Sequence, residues 1–124
     1  MLLQITDNLA LSDIQDKFSR CFPGLKIEFC TKKHHWEELC PEHQFLTGDT
    51  LVGLARKRHD PGTLDLKSWD KVGEAEKRFY EDFGLNVQIF YKSGSRWIQT
   101  GKSDNLTLGE LQERAYNRLQ FVLL

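Results

Sequence analysis

The densest group of residues able to do chemistry is Cys30, His34, His35, Cys40 and His43. Cys30-x3-His34 and Cys40-x2-His43 are spacings that can close on zinc, whose tetrahedral sites take thiolate and imidazole. The surroundings favour a plainer reading. Cys30 ends an alternating strand pattern, where a thiol packs as a small apolar group. The histidines lie among Lys32, Lys33, Glu37 and Glu38, as in a solvated loop. The two-residue cysteine spacing of common zinc modules is absent. Zinc through Cys30, His34, Cys40 and His43 is therefore carried as an alternative, and no cofactor is implied.

Other motifs are weaker. Gly101-Lys102-Ser103 ends like a phosphate-binding loop, but Arg96 occupies the position where that loop needs its first glycine. Arg56-Lys57-Arg58-His59 is a basic run that suits a solvated helix end, where cations complement the helix dipole. No nucleophile elbow and no His-Glu-x-x-His pair occurs, so nothing supports an enzyme.

The chain as a whole sets the limits. Its 124 residues fit one domain, 1–124, and its formal charge of −1 gives no general pull toward nucleic acid or an anionic membrane. The cysteines Cys21, Cys30 and Cys40 are odd in number, and the N-terminus lacks the form of a secretory signal. That combination does not read as a disulfide framework, and it points to the cytoplasm. No apolar run approaches the length needed to span a bilayer.

The elements that must position these residues are legible from periodicity. Leu11, Ile14, Phe18 and Phe22 share one set of offsets with Val72, Ala75, Phe79 and Phe83, and with Leu108, Leu111, Ala115 and Leu119. Each set draws an apolar stripe along a helix, with residues such as Asp13, Glu74, Glu76 and Glu81 off the stripe. Thr107 and Glu110 form a capping box, and Ser68 is placed to cap the middle helix. Pro23-Gly24 and Gly84 end the first two helices. Leu25-Ile27-Phe29 and Leu85-Val87-Ile89-Tyr91 then alternate as strands with one buried face. A helix-then-strand unit is thus used twice. Leu9 to Asp16 also echoes Leu106 to Glu113, with a weaker copy at Thr50 to Leu54 that suggests a short helix over 50–57.

Ser93-Gly94 reads as a two-residue hairpin loop, which pairs Phe90 with Trp97, Ile89 with Ile98 and Gln88 with Gln99. The expected fold is α+β: a small mixed or antiparallel sheet with three main helices mostly on one face. Its order is strand, helix, strand, short helix, strand, helix, hairpin, helix. The second face then carries Lys26, Glu28, Gln88, Phe90, Trp97 and Gln99. An aromatic pair on a polar sheet face is either covered, here by segment 31–48 or the C-terminal tail, or a contact surface. As a contact surface it makes Phe90, Trp97, Lys92 and Arg96 the binding candidates. The function expected is a non-enzymatic binding module acting through protein or ligand contact, as a monomer or weak homodimer, using this face and the 31–48 loop. Charge balance argues against nucleic acid, and single-strand binding by base stacking is the remaining alternative.

Three stretches carry a resemblance: Leu106 to Gln112, Phe22 to Phe29, and Phe83 to Gly94. Through them the chain resembles a family of small bacterial α+β proteins with no established activity. The resemblance covers about two-thirds of the chain and concerns helix starts, helix-to-strand junctions and the hairpin. It implies a fold and carries over no site.

Overall fold

A computed structural model describes residues 1–32, 39–101 and 104–123, with side chains as far as residue 116. In chain order the elements are β1 (Leu2–Ile5), α1 (Leu11–Cys21), β2 (Leu25–Cys30), a 3-10 turn (Glu42–Gln44), α2 (Val52–Ala55), β3 (Gly62–Asp65), α3 (Val72–Phe83), β4 (Asn86–Ser93), β5 (Arg96–Gln99) and α4 (Leu108–Leu123). The fold is α+β, in the order the periodicity predicts. The strands form two antiparallel sheets: β1 pairs with β3, and β2, β4 and β5 lie side by side with β4 in the centre.

The stripes make the core because each helix turns its apolar face inward. Leu11, Ile14 and Phe18 of α1, Val72, Ala75 and Phe79 of α3, and Leu108 and Leu111 of α4 are fully buried. They pack with Leu25, Ile27, Phe29, Val87 and Ile89 from one face of the three-stranded sheet. Leu119, the last member of the third stripe, lies beyond the described side chains. Phe29 and Phe79 meet edge to face at 6.4 Å, a geometry aromatic quadrupoles favour.

The echoed segments have a physical role. A helix start leaves its first N–H groups without partners. Here Leu11 and Ser12 donate to the carbonyls of Thr50 and Gly48, at 2.9 and 2.8 Å, while Val52 and Gly53 donate to those of Leu9 and Asp7, at 2.8 and 3.1 Å. The starts of α1 and α2 therefore cap each other through the main chain. The starts of α3 and α4 do the same. Val72 and Gly73 donate to Leu106 and Asp104 (2.8 and 2.9 Å), and Leu108 and Gly109 donate to Asp70 and Ser68 (2.9 and 2.8 Å). Ser68 thus serves α4 through its carbonyl, correcting the expectation that its hydroxyl caps α3. Glycine eases the approach at Gly53, where an added Cβ would lie 3.0 Å from the Asp7 Cβ and would press on it.

Thr107 and Glu110 form the expected reciprocal box, with Glu110 N–H donating to Thr107 Oγ1 at 3.1 Å and Thr107 N–H to Glu110 Oε1 at 3.0 Å. Gly84 ends α3 in the left-handed conformation, at φ +67°.

The hairpin register differs from expectation by two residues. Ser93 pairs with Arg96, Lys92 with Trp97, Tyr91 with Ile98 and Phe90 with Gln99. The loop is Gly94-Ser95, with Gly94 at φ +63°. A primed hairpin turn needs positive φ at its first loop position, which puts the glycine there. Because the shift is two, every side chain keeps its face. Phe90 and Trp97 become diagonal neighbours instead of a direct pair.

Candidate functional site

The outer face of the three-stranded sheet presents Lys26, Glu28 and Cys30 from β2, Gln88, Phe90 and Lys92 from β4, and Trp97 and Gln99 from β5. One end of it is covered by the chain between Leu39 and Leu46. Phe45 packs edge to face on Phe90, ring centres 5.7 Å apart. The Gln99 side chain braces Cys40 from both sides: its Oε1 accepts Cys40 N–H at 3.0 Å, and its Nε2 donates to Cys40 C=O at 3.0 Å. Phe90 is consequently buried, which corrects its place among exposed binding residues.

Trp97 remains open, with 39% of its surface exposed. Lys26 Nζ stands 4.9 Å from the Trp97 ring and 5.0 Å from Phe90, and Lys92 Nζ stands 5.9 Å from Trp97. Ammonium groups at these distances are held by the ring quadrupole. Lys26 is also paired with Glu28 at 3.4 Å. Lys92 and Arg96 are exposed and have no ion pair among the described residues. Of the four residues singled out from sequence, the fold keeps Trp97, Lys92 and Arg96 on the surface of the β4–β5 hairpin and removes Phe90.

The chain matches no protein-family model, no curated protein and no solved structure. The reading of the site therefore rests on its geometry. No helix among the described residues is long and apolar enough to cross a membrane.

The Cys/His cluster resolves differently from expectation. Cys30 and Cys40 are joined by a disulfide, their Cα atoms 6.5 Å apart, and Cys21 is the free, exposed thiol. The pairing follows from tertiary folding, which lays Cys40 over the end of β2. A disulfide sulfur has no thiolate to offer zinc. His43 is exposed in the 3-10 turn, and His34 lies outside the described residues. Among the described residues, no group of three or more His, Cys, Asp or Glu side chains is placed to hold a metal.

Two further clusters escaped sequence reasoning. Arg56, expected in a solvated basic run, is buried. Its guanidinium reaches Asp7 Oδ1 through Nε and Nη2, at 3.0 and 2.8 Å, and Nη1 donates to the carbonyls of Asp60 and Phe83 at 2.9 and 3.1 Å. Arg56 holds the Asp7 carboxyl below its ordinary range, assisted by His59, whose Nδ1 lies 2.8 Å from Asp7 Oδ2. Arg58 donates to the Glu81 carbonyl. A cleft of about 640 Å³ lies beside these groups, with Leu54, Tyr80 and Asn86 on its wall. Its arginines are committed to the protein's own carboxylates and carbonyls, so they knit the region before β3 to the end of α3.

The second cluster is a carboxyl pair. Glu76, off the apolar stripe of α3, is nevertheless buried, as is Asp104. The reason is strand length. β5 ends at Gln99, leaving the β5-facing N–H of Ile89 without a strand partner, and Glu76 Oε2 accepts it at 2.9 Å. Burial, and the adjacent Asp104 with which it is hydrogen-bonded, push the Glu76 carboxyl well above the usual range. A single charge letter inside a polar helix face gave no signal of this role.

Proposed function

We propose that the chain is a non-enzymatic binding module, engaging a protein partner through the hairpin surface made by Trp97, Lys92 and Arg96, beside the segment that covers Phe90. The observation that carries this reading is the exposed Trp97 ring flanked by Lys26 and Lys92. An indole with one face open and cations at its rim suits contact surfaces, where Trp and Arg concentrate binding energy. The near-neutral charge supports a protein partner over nucleic acid.

The test is quantitative affinity capture with wild-type chain and Trp97→Ala as parallel baits, each first shown to be folded by circular dichroism. Trp97→Ala is expected to lose the enriched partner. Retention of every partner by Trp97→Ala overturns the reading, and enrichment of single-stranded RNA that fades with salt replaces the protein partner.

A further inference from the structure

The two edges of the three-stranded sheet are treated differently. At the β2 edge the outward carbonyls of Leu25, Ile27 and Phe29 are all taken: by Ser19 Oγ at 3.0 Å, Gln15 Nε2 at 3.0 Å and Leu46 N–H at 2.8 Å. Thr31 N–H donates to Gln44 C=O at 2.9 Å, continuing that cover. Among the described residues the β5 edge has no such cover. Thr100 N–H bonds Ile89 C=O, so in the antiparallel alternation Arg96 and Ile98 also point their main chains at β4. Trp97 and Gln99 then turn their N–H and C=O groups outward. Among the described residues no main-chain group pairs with them. Trp97 and Ile98, on opposite faces of β5, are 39% and 37% exposed, so the strand is open along its edge and partly on both sides.

An exposed edge is a template for another strand. We infer that β5 accepts an extended, acidic peptide segment of a partner by strand addition, with main-chain bonds at Trp97 and Gln99, acidic side chains beside Arg96 on one face of the strand, and apolar ones against Trp97 on the other. This names the partner class for the surface proposed above and rests on that reading. Charge chooses the occupant. Arg96 stands on β5 itself, exposed and without an ion pair among the described residues, and Lys92 lies opposite Trp97 on the neighbouring strand. A second copy of this edge would bring the same cations, whereas an acidic strand complements them. Strand addition takes affinity from main-chain bonds and specificity from alternate side chains.

The probe is a short capped peptide of alternating glutamate and valine, titrated into the full chain and followed by residue-resolved amide hydrogen exchange. Exchange at Trp97 and Gln99 is expected to slow by about tenfold or more at saturation, with Arg96 and Ile98 unchanged because they already bond β4. Arg96→Glu is expected to abolish this protection and to transfer it to the lysine–valine counterpart peptide. Perturbation of the Trp97 indole without protection of the two amides overturns strand addition but leaves the binding surface standing. Equal response to both peptides in the wild type, no response to either, or protection by self-association in the absence of peptide overturns the acidic-strand inference. Loss of captured partners in Trp97→Ala, read separately, reports on the surface itself.

Discussion

Replacing Glu76 tests the buried carboxyl pair. In the folded chain Glu76 holds its proton well above the ordinary value of 4.5, because burial and Asp104 both disfavour its charge. In the unfolded chain it ionises near that value. Between the two, the folded state binds one proton more than the unfolded state. Stability contributed by this site is therefore full at low pH and falls as pH rises toward the folded value, by about 1.4 kcal/mol per pH unit. Glu76→Gln keeps an oxygen for Ile89 N–H, gives Asp104 an N–H donor and cannot ionise. The variant should gain on the wild type by that slope from about pH 5 upward, or about 0.7 M in urea midpoint per pH unit for an m-value near 2 kcal/mol/M. Glu76→Ala leaves the Ile89 N–H buried and unpaired and should cost about 1–3 kcal/mol relative to Glu76→Gln, at every pH. Urea unfolding followed by circular dichroism between pH 5 and 8 measures all three. If the stability difference between wild type and Glu76→Gln stays flat across this range, the carboxyl is not held protonated by the fold and the reasoning fails.

Reducing the Cys30–Cys40 bridge should destabilise the chain by about 2.7 kcal/mol on loop-closure entropy for a separation of 10 residues. For 124 residues that corresponds to roughly 10 °C in melting temperature, while Cys21→Ser should change nothing; an unmoved melt with reductant would refute the constraint. Gly53→Ala should cost about 1 kcal/mol although alanine favours helix by a similar amount, because its Cβ meets Asp7, pinned by Arg56, at 3.0 Å. A stabilised Gly53→Ala in thermal unfolding would show that the α1–α2 junction relaxes at no cost.

The site was partly legible. The period-two alternation that assigns Lys26, Gln88, Phe90, Trp97 and Gln99 to one face holds under a two-residue register shift, since parity alone fixes the face. Which of them stays exposed was not legible, because Phe45 and Cys40 come from a segment far away in sequence. Glu76 and Arg56 misled for the same reason. Their charges read as solvated, yet each satisfies main-chain groups that only the folded chain leaves unpaired.

The sequence by itself determined the elements and their order. Apolar spacing, the Thr107–Glu110 box and the glycines at 84 and 94 act over a few residues, where covalent geometry and local bonding leave little choice. It also held the echo among the segments at Leu9, Thr50 and Leu106, without its meaning. Tertiary structure decided that helix starts cap each other in pairs, that Cys30 joins Cys40, and that the outward carbonyls of β2 find partners while, among the described residues, no main-chain group pairs with the β5 edge. Those outcomes depend on which unsatisfied donor meets which distant acceptor, and only the assembled core brings such groups within bonding distance.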